Sequence, residues 1–273
     1  MDLPFAQSRW EPRIRWFLPA AVLAMAVAGA GPVLAVCGRP GGAVEPVAID
    51  GRLDIALEDG RLVRLGGLDP AVAWTSPERA READGLLNRL LIGRPAELRL
   101  IANGPDRWGR VVGDLAPEAS PGESAAEALL AAGLARVRPE FEARACATAR
   151  LALEDAARRA GRGIWADEAF AVLSASDRDG LRQHDGQFVL VEGKVRHVGF
   201  GRSRLYLDLG ARGETTVVVG RKLEPALAKA GIPVRALQGE TVRARGALDL
   251  RFGPRIEIVE PAMLEVVRAG GPD

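Results

Sequence analysis

The chain has 273 residues, 48% of them hydrophobic, which is ample apolar material for one or two cored domains. Its 37 Lys+Arg are balanced by 36 Asp+Glu, which argues against tight, general nucleic-acid affinity, since that affinity comes from neutralising phosphates. The balance is uneven: residues 36–186 hold 20 basic and 24 acidic side chains, whereas residues 187–268 hold 14 and 9, leaving a weakly basic C-terminal part.

In chain order, Arg9, Arg13 and Arg15 precede an apolar run, Trp16–Val36, closed by Pro32 and Val33-Leu34-Ala35. Residues 1–35 therefore read as a secretory signal peptide cut after Ala35. A run of about 20 residues is also long enough to remain as an uncut membrane anchor. Leu34-Ala35-Val36-Cys37 resembles a lipoprotein box, although Val36 stands where such boxes want a small residue. The expected location is periplasmic, cell-envelope or secreted. There the only two cysteines, Cys37 and Cys146, are able to pair. The alternatives are two free thiols or a lipid on Cys37. A bridge would close a loop of about a hundred residues, worth about 4–5 kcal/mol in the chain-entropy account.

Ala43–Ile49, Leu53–Leu57 and Arg61–Leu68 read as a three-stranded meander, with Leu53, Ile55 and Leu57 alternating and Glu58-Asp59-Gly60 as the turn. Ser76-Pro77-Glu78 is a helix start, followed by Ala83, Leu86, Leu87, Leu90 and Leu91 at helical spacing and a stop at Gly93. Ala96–Ala102 and Arg110–Leu115 are strands, Ser124–Ala132 a short helix, Leu134–Val137 a small edge strand, and Glu140–Ala160 an amphipathic helix before Gly163-Ile164-Trp165. Residues 43–166 thus read as a five-stranded barrel of the oligonucleotide/oligosaccharide-binding (OB) type with helices. Polar residues 167–186 read as a linker. Residues 187–268 then form a second small β-barrel, OB-like, with one helix at Leu223–Ala230. The whole is α+β, mainly β with helices.

The chemistry-bearing stretch is RLVRLGGLDP at residues 61–70, joined by Asp106-Arg107-Trp108-Gly109-Arg110. Arg64, Asp69 and Arg110 converging on one surface would make a phosphate-and-cation site, because the guanidinium fork matches phosphate oxygens two at a time. Trp108 beside Arg110 is a candidate for stacking on a base.

Over residues 44–165 the order and spacing of these motifs resemble the staphylococcal nuclease-like (thermonuclease) family. The resemblance rests on Asp50-Gly51, EDGRLVRLGGLD (58–69), DRWGR (106–110), LLAAGLARV (129–137) and GRGIW (161–165). It implies Ca²⁺-dependent hydrolysis of DNA or RNA: two aspartates and a carbonyl hold the metal, a glutamate helps activate water, and two arginines clamp the phosphate. By position Arg64 and Arg110 match the arginines and Asp69 one metal aspartate. The other aspartate falls on Arg52 or Leu53, and the glutamate on Val72. Asp50 and Asp54 are the nearby carboxylates that could substitute, and alternation places Asp54 on the face opposite Leu53 and Ile55. One carboxylate makes a poor calcium site, since calcium takes six to eight oxygens.

The expectation is therefore a nuclease fold without its chemistry, acting as a binding or structural module with no resident cofactor and with a protein of the envelope as a candidate partner. Two alternatives stay open. One is an active Ca²⁺-dependent nuclease with a rebuilt metal site. The other is a protein that binds nucleic acid or another polyanion through Lys194, Arg196, Arg202, Arg204, Arg243, Arg245, Arg251 and Arg255. His184 and His197 have no partners at metal-ligand spacing, and Gly199-Phe200-Gly201 lies between strands, where a hairpin accounts for it.

Overall fold

Two alternating strand patterns, each interrupted by one helix, build two barrels in the computed structural model, which describes residues 37–69, 72–210 and 214–267. The leader, Pro70 and Ala71 lie outside the described residues. In the first barrel β1 (Arg39–Val44) and β2 (Pro46–Ile49) are halves of one strand broken at Glu45. They are followed by β3 (Ile55–Leu57), β4 (Leu62–Leu65), the two-residue β5 (Leu68–Asp69), α1 (Val72–Thr75) and α2 (Pro77–Leu91). Strands β6 (Ala96–Leu100) and β7 (Val111–Pro117) complete the sheet, with order β1-β6-β7-β4-β3-β2. Because β1 pairs with β6 and β2 with β3, the broken strand closes the sheet on itself; β4 and β7 run parallel.

The expected strand over 61–68 is split. Gly66 and Gly67 turn the chain after β4, and β5 leaves the barrel to pair with β8 (Arg136–Val137). Helix α2 forms where its signals predict: Ser76 accepts from Arg79 N–H (3.4 Å), Pro77 opens the first turn, and Ala80, Ala83, Leu87 and Leu91 are its buried face. The short α3 (Ala125–Ala131) is capped by Ser124.

The long helix begins later than its amphipathic pattern suggested. After a 3₁₀ turn at Arg144–Cys146, α4 runs over Ala147–Arg159. Its end docks on the end of α3 by backbone contact. Gly163 donates no side chain here: a Cβ would lie 2.2 Å from the Gly133 carbonyl oxygen, and one on Gly133 would lie 2.3 Å from that of Arg162. Both glycines have positive φ, +71° and +54° for 133 and 163. That mutual approach is why the GLARV and GRGIW segments need glycine.

The segment expected to be a linker is built of short elements, β9 (Leu173–Ser174) and α5 (Arg178–Arg182). Phe170 is buried in the first core, and Ala175 and Leu181 in the second. The second barrel contains β10 (Phe188–Phe200), β11 (Arg204–Leu209), β12 (Thr215–Gly220), α6 (Glu224–Lys229), β13 (Thr241–Asp249), β14 (Arg255–Ile258) and an edge strand β15 (Leu264–Val267). Pairing runs β10-β11-β12-β14-β13 and back to β10, with β12 and β14 parallel, which is a closed five-stranded barrel. This is the strand order of the first barrel, with the helix again between the third and fourth strands. The repeat is one of topology, and the two sequences carry no matching motif.

Charge joins the two cores within one compact unit. Arg245 of β13, 1% exposed, bonds Glu154 of α4 at 2.8 Å, the Val137 carbonyl at 3.1 Å and Glu265 of β15 at 2.5 Å. Arg243 bonds Glu192 (2.8 Å) beside Asp155, and Arg144 reaches Glu260 (3.1 Å). Cys37 and Cys146 form a disulfide that ties the start of β1 to the start of α4, beside Ile101, Val112 and Ala143.

Two outcomes are expected. Cys37→Ser/Cys146→Ser lowers unfolding free energy by about 2–5 kcal/mol, read by urea titration. Glu154→Ala, which leaves Arg245 buried beside an empty site, costs about 3–5 kcal/mol, and Glu154→Leu/Arg245→Met recovers most of that loss.

Candidate functional site

The Asp106–Gly109 turn is shaped by one carboxylate. Asp106 Oδ1 accepts from the backbone N–H groups of Trp108 (2.9 Å) and Arg110 (3.0 Å), and Gly109 supplies the positive φ. Its Oδ2 accepts from Arg110 Nε (2.9 Å) and Nη2 (2.7 Å). Arg64, on β4, brings its Nε within 3.8 Å of the same oxygen, so the two expected arginines do meet, across Asp106.

Two further carboxylates close around them. Arg110 Nη1 donates to both oxygens of Asp54, at 3.1 and 2.8 Å. Arg64 Nη1 and Nη2 donate to the two oxygens of Glu140, at 3.1 and 3.2 Å, and Glu140 also accepts from Gly67 N–H. Both guanidiniums are thus engaged in forked pairs with carboxylates of the chain itself, the geometry a phosphate would otherwise use. Two arginines facing Asp54, Asp106 and Glu140 carry a formal net charge of −1.

Asp54 faces where alternation puts it, away from the buried Leu53, Ile55 and Leu57, and Arg110 meets it on that side. Ladder pairing in this strand starts only at Ile55, and Leu53 has φ +65°, the one positive-φ residue other than glycine among the described residues. The side chains alternate all the same: Leu53, Ile55 and Leu57 enter the core, and Asp54, 5% exposed, meets Arg110. Such a left-handed leucine costs on the order of 1–2 kcal/mol, offset by Leu53 packing in the first core. Asp50 holds the turn, its Oδ1 accepting from Arg52 N–H (2.8 Å) and Asp54 N–H (2.9 Å), while the Arg52 side chain is exposed.

Asp69 is drawn elsewhere. It pairs in register with Arg136, whose Nη2 lies 2.5 Å and Nε 3.1 Å from its Oδ2, and the same guanidinium reaches the Phe188 carbonyl of the second barrel at 3.1 Å. Val72, where the resemblance would place the water-activating glutamate, is 1% exposed and part of the core. Among the described residues no group of three or more His, Cys, Asp or Glu could hold a metal ion. The residues present thus do not fit a calcium ion, which needs six to eight oxygens from several carboxylates and carbonyls.

Trp108 is 64% exposed, with Arg107 3.9 Å and Arg110 4.9 Å from its ring centre. Phe141, next to Glu140, is 62% exposed with Arg144 3.8 Å from its ring centre. A cavity of about 1300 Å³ lies to one side, between α4, α6 and β15, and of this cluster only Glu140 lines it. His184 and His197 each bond locally, to the Gly180 carbonyl (2.7 Å) and Asp208 (3.3 Å). Of the basic residues expected to line a polyanion groove, Arg243 and Arg245 do not: both are buried against carboxylates between the barrels.

The sequence pointed to Arg64 and Arg110 and missed Glu140 and Arg136. The only signal for either was that LARVRPEFE mixes charges into a short segment next to an edge strand. Residues 71–167 match the family described as Staphylococcal nuclease homologue, so the chain carries a domain of that kind; the matched segment holds Asp106, Arg110, Arg136 and Glu140 and begins after Arg64 and Asp69. No curated protein matches the chain.

Burial works to raise the Asp106 carboxyl, but hydrogen bonds from the Arg110 side chain and from the Arg110 and Trp108 N–H groups outweigh it and hold it below the ordinary 3.8. A carboxylate with a depressed folded value contributes stability in full above its unfolded value and loses it as pH falls through the folded one. Asp106→Asn is expected to cost about 1–3 kcal/mol at neutral pH. The gap to the parent then narrows from about pH 4 downward. Urea titrations of both proteins across that range check this; a gap independent of pH would contradict it.

Proposed function

Starting from a staphylococcal nuclease-like domain whose two arginines are already held by its own carboxylates, we propose that this protein is a catalytically impaired member of that kind which works as a binding or structural module. The observation that carries the reading is the pairing of Arg64 with Glu140 and of Arg110 with Asp54 and Asp106. A phosphodiester would have to displace these carboxylates, in a cluster whose formal charge repels phosphate. Hydrolysis also needs a group to orient or deprotonate water, and Val72 offers none. With Asp69 committed to Arg136, no step is routed through a metal ion.

We further propose that the chain acts outside the cytoplasm. The basic, then apolar, leader supports export, and the disulfide between Cys37 and Cys146 suits an oxidising compartment. A partner in the envelope would meet a domain whose old site is rigidified by ion pairs.

The test is hydrolysis of single-stranded DNA and RNA by the purified protein with millimolar Ca²⁺ and with chelator, beside Arg64→Ala/Arg110→Ala. No cleavage above that control is expected. Calcium-dependent cleavage lost in the control would establish a working nuclease, with Asp54 and Asp106 the carboxylates to substitute next.

A further inference from the structure

The second barrel has an outer face that carries three exposed aromatic side chains among several exposed arginines. On β11 the side chains of Leu205, Leu207 and Leu209 are buried, so Arg204, Tyr206 and Asp208 face outward. Tyr206 is 37% exposed, Phe200 at the mouth of the β10–β11 hairpin 61%, and Phe252 in the β13–β14 turn 80%.

Register fixes how these rings are spaced. Arg204 pairs with Gly220 at one end of the β11–β12 ladder; Asp208 pairs with Thr216, and Thr216 with Arg255, at the other. The hairpin carrying Phe200 therefore emerges at the Arg204 end and the turn carrying Phe252 at the Asp208 end. Four residues of strand separate the ends, about 13 Å, with Tyr206 between them. Glycines keep the path open: Gly199 stands opposite Tyr206, and a Cβ on Gly201 would come within 3.1 Å of its ring.

The charges beside the rings are not all neutralised. Arg204 pairs with Glu257 (3.4 Å) and Arg255 with Asp249 (2.6 Å), both near the surface. Arg202, Arg221 and Arg251 are exposed and have no ion pair among the described residues. Guanidiniums already lie against two of the rings, Arg235 5.3 Å from the Phe200 centre and Arg255 5.5 Å from that of Phe252.

Flat rings at intervals along a strand, interleaved with exposed guanidiniums, suit a ligand with exposed π-faces and a phosphate backbone. We infer that this face of the second barrel binds single-stranded nucleic acid, with bases stacking on Phe200, Tyr206 and Phe252 and phosphates meeting Arg202, Arg221 and Arg251. A duplex hides its base faces from such rings, and an anionic glycan lacks them. The outer face of the second and third strands, between the first and last hairpins, is also where barrels of this strand order hold extended polymers. None of these residues belongs to the Arg64/Arg110 cluster, so the inference is independent of whether that cluster catalyses anything.

The experiment is fluorescence anisotropy of a labelled fifteen-residue oligothymidylate titrated with the full-length chain in calcium-free buffer at several salt concentrations. Binding is expected to weaken with salt, with a log–log slope of about −2 for three neutralised phosphates. Phe200→Ala/Tyr206→Ala/Phe252→Ala should weaken it by at least about tenfold. Arg202→Glu/Arg251→Glu should weaken it and flatten the slope, whereas Trp74→Ala, which removes an exposed ring elsewhere, should change nothing. Circular dichroism melts check that each variant is folded, and the charge variant stands alone if the triple aromatic variant is not. The inference is overturned by no binding at about 100 μM protein, by equal binding of a fifteen-base-pair duplex, by retention of affinity in the folded variants, or by binding of a heparin fragment without the oligonucleotide.

Discussion

One stripe running from the 3₁₀ turn into α4 fixes the rest of the molecule. Cys146, Arg150 and Glu154 follow one another at four-residue intervals, which stacks them on a single side of the helix. Cys146 is bonded to the start of β1. Arg150, 1% exposed, donates to the Gly66 carbonyl and to Asp114, each at 2.6 Å. Asp114 in turn accepts from Ala126 N–H at the start of α3, and Glu154 meets Arg245 of the second barrel. The turn after β4, the strand β7, two helices and the other barrel are thus all referred to one stripe. Buried charge is tolerated there because each group is paired and further hydrogen-bonded; any one left alone would be costly.

The same logic explains the state of the arginine cluster. Glu140 lies one segment before α4, and Arg144, between Glu140 and Cys146, is held by Glu260. The segment that presents Glu140 to Arg64 is therefore pinned just after Glu140, first to the second barrel through Arg144 and then to β1 through the disulfide. Individually, half-exposed ion pairs contribute little. Here they share Asp106, and the backbone segments that carry them are held by other contacts, so only side-chain freedom is given up in forming them.

Much of the scaffold was legible because it is local. The Ser76 cap, the Asp59-Gly60 turn, the Leu53–Leu57 alternation and the strands of the second barrel follow from short-range preferences that survive in the structure. The ion pairs were not legible, because Arg64–Glu140, Asp69–Arg136 and Arg245–Glu154 join residues 76, 67 and 91 positions apart. Alternation likewise says that Arg243 and Arg245 belong to a strand, but not whether water or another barrel covers it. Composition erred in the same way at residues 167–186, where the polar texture concealed Phe170 and Leu181, one anchored in each core. At Asp54 the alternation itself held; what it could not say is that the arginines gather on the side away from Leu53 and Ile55.

The broken first strand has a consequence for the order of assembly. Residues 39–44 are the first described strand of the chain, yet they find their ladder only with residues 96–100, and Cys37 finds its partner 109 positions later. A chain delivered N-terminus first must keep that strand unsatisfied while the meander forms behind it, so the piece that comes first is seated late. Two cysteines admit a single intramolecular connectivity. Once they meet, oxidation locks the closing strand with no wrong bridge to undo, and maturation needs an oxidant but no reshuffling of disulfides.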